Sequence, residues 1–117
     1  MIWDKISHMD TMADCEFAWT SFDKNAKIFE HPRNTSKKRI HPTQKPVKLY
    51  KYLLKTFAKQ TDKIIDTHFG SLSIGIACHD FGCKLDACEI NTKYFNQGVK
   101  QVKDYVRQLG FLINEKE

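Results

Sequence analysis

Two acids and a small-residue turn carry the chemistry that this chain can do. Asp66-Thr67-His68-Phe69-Gly70-Ser71 follows the short apolar pair Ile64-Ile65, and Glu89 ends a second apolar stretch twenty-three residues further on. The pattern reads as a strand ending in an acid, a tight turn, a helix, and a second strand ending in an acid. Open α/β sheets bind adenosyl ligands in this way, at the carboxyl ends of strands and beside helix N-termini. A carboxylate at a strand end accepts hydrogen bonds from a ribose diol, which is the role open to Glu89. Asp66 sits where its charge favours a cationic sulfonium, and Gly70 lets backbone approach a ligand closely. Backbone N–H groups that open the next helix suit a ligand carboxylate. The plainer alternative stands beside this: acid-ended strands and glycine turns occur in many α/β proteins, and Asp66 also suits a turn or helix cap.

Other chemistries find less support. There is no G-x-G-x-x-G fingerprint and no G-K-[ST] phosphate loop, and Ser71 lacks a G-x-S-x-G elbow. Cys15, Cys78, Cys83 and Cys88 show no C-x-x-C spacing. They read as buried free thiols of a reducing compartment rather than zinc ligands. No metal site is expected, and His68 reads as a turn or wall residue.

The elements that must position these residues follow from periodicity. Phe17 and Trp19 share one face at strand period within Glu16–Phe22, Asp23-Lys24-Asn25 carries turn chemistry, and Ala26–Glu30 returns, so an N-terminal β-hairpin is expected. His31 to His41 reads as a solvated loop. Pro46 suits the first turn of a helix, whose Val47, Tyr50, Leu54 and Phe57 recur at helical spacing. After the strand at Ile64-Ile65, Ile74, Ala77, Cys78 and Phe81 form one helix face, and Gly82 is placed to end that helix in the left-handed conformation. Leu85–Ile90 is the next strand. Asn91 is placed to cap a last helix with an apolar stripe of Phe95, Val99, Val102, Val106 and Leu109. Helix, strand, helix, strand, helix implies parallel strands and the α/β class.

The expected organisation is one domain over 1–117. It comprises a strand end and hairpin over 1–30, a loop over 31–45, an α/β portion over 46–110 and a tail over 111–117. With 117 residues, 41% hydrophobic and 28% charged, the chain has the composition of a globular protein. A net charge of +5 permits a polyanionic partner without demanding one. No apolar run reaches membrane-spanning length and no signal-peptide pattern opens the chain, so a cytoplasmic location is expected.

A second string narrows the reading. His41-Pro42-Thr43-Gln44-Lys45-Pro46, an amphipathic helix, then Asp66-x-x-x-Gly70-Ser71, resembles the C-terminal half of the amino-group DNA methyltransferases, which make N6-methyladenine or N4-methylcytosine. The resemblance is to the permuted subgroup, whose catalytic half comes first. It runs from about Met1 to about Val106, with Trp3-Asp4-Lys5 similar to the family's Trp-x-Lys strand end and Glu16–Phe22 similar to its first hairpin strand.

The resemblance implies a partial Rossmann-like sheet and S-adenosylmethionine as cofactor. It implies that Thr43, Gln44, Lys45 and Pro46 border the methionine end, that Asp66, Thr67, His68, Phe69, Gly70 and Ser71 form the cofactor turn, that Glu89 binds the ribose and that Ile90 flanks the adenine. Without it, Gln44 and Lys45 read as a solvated helix entrance. Double-stranded DNA is the implied partner, within restriction-modification chemistry. Lys37, Lys38 and Arg39 are placed to touch phosphates, contacts that position DNA without reading it; a solvated loop is the equal alternative.

Departures from the family pattern are specific. Thr67 and His68 stand where the commoner form has Pro and Phe, and Leu72 stands where it has Gly, adding bulk beside the methionine carboxylate. The family's Asp/Asn/Ser-Pro-Pro-Tyr/Phe motif, which grips a flipped-out base, has no counterpart: Pro32, Pro42 and Pro46 are the only prolines. No catalytic residue is therefore assigned. The expectation is the cofactor-binding portion of such an enzyme, as a truncated product, a fragment or one half of a split enzyme, inactive alone. In the family the Pro-Pro strand lies between the strand ending at Asp66 and the strand near Trp3. Its removal leaves backbone groups unpaired in the middle of the sheet, with three ways out: the flanking strands pair directly, a second copy inserts or exchanges a segment, or the N-terminal region packs elsewhere or disorders; the missing N-terminal catalytic half is the other partner considered. Self-association as a homodimer is the expected route. A non-catalytic remnant that binds S-adenosylmethionine or DNA, and an unrelated α/β interaction module, are the rivals.

Overall fold

The computed structural model describes residues 1–6, 11–33, 41 and 43–114, the last four by backbone only. Its elements run β1 (Ile2–Asp4), β2 (Cys15–Phe17), β3 (Ile28–Glu30), α1 (Val47–Phe57), β4 (Lys63–Asp66), α2 (Ser73–Phe81), β5 (Lys84–Ala87) and α3 (Thr92–Asn114). The basic run Lys37, Lys38 and Arg39 and the residues after Asn114 lie outside the described residues.

From α1 onward the alternation is the expected one. β4 and β5 are parallel neighbours, with Ile64 opposite Leu85 and Asp66 opposite Ala87. Each strand turns alternate residues inward, so Ile64 and Leu85 pack on the core while Ile65 is 72% exposed. The core is formed by Leu54 of α1, Phe69 and Leu72 of the turn, and Ile74, Ala77 and Cys78 of α2. Gly82 closes α2 in the left-handed conformation at φ 85°, its N–H donating to the Cys78 carbonyl. Asn91 caps α3 by accepting the Tyr94 N–H at 3.1 Å. Pro46 is itself the N-cap of α1, one position before the first helical turn in which it was expected.

Three expectations are corrected. The N-terminal β-hairpin does not form: β2 and β3 do not pair with each other but flank β1 on opposite sides, antiparallel and parallel respectively. The ten residues between Phe17 and Ile28 are too many for a tight turn and carry β3 across to the far edge of β1. There Phe29 stacks on Tyr52 of α1 at 4.8 Å. The shared face of Phe17 and Trp19 looks outward, at 80% and 89% exposure. The stripe of α3 is narrower than its period suggests, because only its middle, Val99 and Val102, packs on the core; Phe95 and Val106 are each 37% exposed. Of the four thiols only Cys78 is buried, Cys15 and Cys83 being half-buried and Cys88 exposed.

The strands form two sheets, β2-β1-β3 and β4-β5, rather than one. Helix α1 serves both: Leu54 lies in the core beneath β4, while Phe57 stacks on Phe22 at 5.0 Å and Tyr52 on Phe29. Among the described residues β4 is paired on one edge only. The flanking strands have not closed up on each other.

Candidate functional site

The turn after β4 is built by short-range hydrogen bonds that fix its path. Asp66 Oδ1 accepts the His68 N–H at 3.0 Å, an Asx turn that reverses the chain. The Cys88 N–H donates to the Asp66 carbonyl and the Phe69 N–H to the Cys88 carbonyl, each at 3.0 Å, extending the β4–β5 pairing past both strand ends. Phe69 then drops its ring into the core, 7% exposed. Gly70 follows at φ 55°, which an L side chain rarely adopts. Ser71 is buried, its Oγ 3.3 Å from Ser73 Oγ.

Glu89 locks this turn from the next strand end. Its Oε2 accepts the Gly70 N–H at 2.8 Å and its Oε1 the Asn91 N–H at 2.9 Å. These two backbone hydrogen bonds, with smaller help from the nearby His41 and His68 rings, hold its carboxyl below the usual carboxylate range. A carboxylate has about four acceptor sites, so each oxygen keeps room for one further hydroxyl. Ile90, next in the chain, is fully exposed.

The segment before α1 closes the other side. A cleft of about 330 Å³ is lined by Thr43, Gln44 and Lys45 on one wall and by His68, Phe69, Gly70, Ser71 and Glu89 on the other, with His41 and Tyr50 completing it. Eight of the site residues expected from sequence thus share one cleft. Pro46, Asp66, Thr67 and Ile90 stand next to it in the chain without lining it; Pro46 is buried, and Asp66 faces a separate groove beside β4. His41 and Tyr50 were not assigned as site residues. The Thr43 Oγ1 lies 2.9 Å from His41 Nδ1, and the His41 ring meets Tyr94 edge-on at 4.6 Å, so the string before α1 is braced against α3. Tyr50 read only as part of the α1 stripe. Burial, reinforced by the negative charges of Asp66 and Glu16, pushes its phenol up to about 12. Among the described residues no group of His, Cys, Asp or Glu is arranged to hold a metal ion.

A carboxylate that clamps a positive-φ glycine, with a lysine lining the same cleft, suits a ligand that carries both a diol and an anionic group. The family model for the N6/N4 DNA methylases matches residues 2–100 of the 117, from β1 into the first half of α3. This chain belongs to the N6/N4 DNA methylase family. A solved structure of the M1.HpyAVI–SAM complex is similar in fold, with a TM-score of 0.60 at 23% identity; the match covers 74% of this methylase-family chain and 43% of that one. The chain therefore spans less than half the length of that solved relative. No curated protein matches it. Among the described residues no helix is long and apolar enough to cross a membrane.

Proposed function

We propose that these residues form the S-adenosylmethionine-binding portion of a DNA methyltransferase acting on an exocyclic amine, N6 of adenine or N4 of cytosine. The observation that carries the reading is the shared cleft, in which Glu89, the Gly70 turn and the Thr43-Gln44-Lys45 segment converge. Glu89 would take the ribose diol, the exposed Ile90 would cover the adenine, and Thr43, Gln44, Lys45 and Pro46 would border the methionine end. The α2 N-terminus carries no side-chain cap, and Ser71 just before it lines the cleft; its first N–H groups suit a carboxylate. Bound there, the cofactor supplies an electrophilic methyl group. Asp66, Thr67, His68 and Phe69 act by shaping the turn.

The step from cofactor binding to methyl transfer requires groups that grip a base, and these residues contain no Pro-Pro motif. The strand bearing it would be supplied from outside them. The split into two sheets supports this, as does a groove of about 590 Å³ beside β4, lined by Phe22, Leu53, Phe57, Ile65 and Asp66 among others. Double-stranded DNA would be the substrate of the complete assembly, with Lys37, Lys38 and Arg39 at its phosphates. Either a missing catalytic half or a second copy would complete the sheet.

Titration calorimetry with S-adenosylmethionine tests the reading. Binding by the chain, its loss in Asp66→Ala and its retention in the tail variant Glu115→Ala are expected. Absence of binding to the unaltered chain overturns it. The chain alone should label no duplex DNA; labelling would mean that catalytic groups exist where none is assigned.

A further inference from the structure

Lys45 lines the cleft, yet its ammonium is held from outside it. Its Nζ lies 3.4 Å from Glu16 Oε2, while Lys5 Nζ lies 3.0 Å from the other oxygen, Oε1. Glu16 is the central residue of β2, opposite Trp3 of β1, and Lys5 follows β1. The Lys5 side chain is only 7% exposed and its Nζ stands 5.5 Å from the Trp3 ring centroid. A lysine so buried requires a counter-charge, and a removed partner leaves it uncompensated. Lys5 therefore fixes the Glu16 carboxylate, and the fixed carboxylate in turn fixes Lys45.

The charge count matters as much as the geometry. Two ammonium groups on one carboxylate leave one net positive charge, and it falls on the half-exposed Lys45 at the cleft wall beside Gln44 and Tyr50. A free lysine has a long flexible stem, and pinning it in advance removes ordering that a ligand would otherwise have to impose. Glu89, by contrast, is held by the Gly70 and Asn91 N–H groups and takes no part in the Lys5–Glu16–Lys45 bridge.

We propose that Glu16 is a positioning residue: through its bridge to Lys5 it holds the Lys45 ammonium at the cleft for the carboxylate of the ligand's amino-acid end. The inference rests on the cofactor reading and deepens it, since it assigns discrimination for the amino-acid moiety to a residue of the first sheet that lines no part of the cleft.

The experiment compares three ligands by calorimetry at one ionic strength: S-adenosylmethionine, S-adenosylhomocysteine and 5′-methylthioadenosine, which lacks the amino-acid end. Glu16→Gln should weaken the first two about fivefold and leave methylthioadenosine within about twofold. Lys45→Met should give the same pattern, and the double variant should lose little more than either single one. Glu16→Asp, which keeps the charge, should recover part of the loss. Equal weakening of all three ligands, or no weakening of any, overturns the proposal while leaving the cofactor reading intact. Failure of the unaltered chain to bind any of the three removes both.

Discussion

The Leu72 side chain fills the space left by Gly98 of α3. A methyl group placed on Gly98 would overlap Leu72 Cδ1 and stand 2.9 Å from its Cγ. Leu72 is at the N-cap of α2 with φ 65° and ψ 18°, a left-handed conformation that costs a leucine about 1–2 kcal/mol. It is nonetheless 5% exposed within the core cluster, and burying a leucine contributes about 1.5–3 kcal/mol. The side chain thus offsets the strain of its own backbone, and the notch at Gly98 makes this possible. The family's usual glycine at this position would relieve the strain and lose the contact.

Gly98→Ala should accordingly destabilise the chain by about 1–3 kcal/mol, although alanine is the better helix former by about 1 kcal/mol. Urea denaturation measures this. Leu72→Ala should cost less in the Gly98→Ala background than in the unaltered chain, because the overlapping methyl groups are gone.

Glu89→Ala removes the clamp on the Gly70 N–H and, on the proposed reading, the acceptor of the ligand's diol. Affinity for S-adenosylmethionine should fall about 10- to 100-fold, the scale of hydrogen bonds to a charged group. Calorimetry reads the affinity, and amide exchange at Gly70 should quicken in the same variant with no ligand present.

An acid limb should arise from Asp80, which joins three helices: it pairs with Lys51 of α1 at 2.5 Å and accepts the Tyr105 hydroxyl of α3 at 2.8 and 3.0 Å. Partial burial raises its carboxyl, but the hydrogen bonds from Lys51 and Tyr105 outweigh this and hold it below its ordinary value. A depressed carboxyl contributes stability above its unfolded value near 4 and loses it as pH falls through the lower folded value. Asp80→Asn should lower stability at pH 7 by about 0.5–1 kcal/mol, less in high salt, and should flatten the decline of stability below pH 4.

Thiol chemistry should sort by burial. Cys88, exposed, should react first with a maleimide, whereas burial, with the Cys83 thiol adding to it, pushes the Cys78 thiol up to about 12. Mass spectrometry over a time course should find Cys78 labelled only on unfolding.

The open edge of β4 should govern association. Each backbone group buried there without a partner costs about 1–3 kcal/mol, and the exposed Ile65 adds apolar surface. Sedimentation should show a homodimer for the chain alone, and Ile65→Lys should shift it toward monomer. A monomer across the micromolar range would leave a strand from outside these residues as the partner.

The sequence by itself determined the half of the fold that rests on local rules. Helical period set α1 and α2, Gly82 set the end of α2 and Asn91 the start of α3, and two acids with a glycine turn between parallel strands marked one side of the cleft. All of these depend on neighbours a few residues apart, where spacing and residue type are enough. What only the tertiary structure decided depends on distant packing. β2 and β3 were both recognisable as strands, yet which edge of β1 each takes depends on where Phe29 meets Tyr52, some twenty residues away. Tyr50 and His41 joined the cleft, and Glu16 reached Lys45, only because α1 brings the first sheet against the turn. Leu72 reads in sequence as a poor residue for its turn. Gly98, twenty-six residues further on, supplies the space that lets it fit.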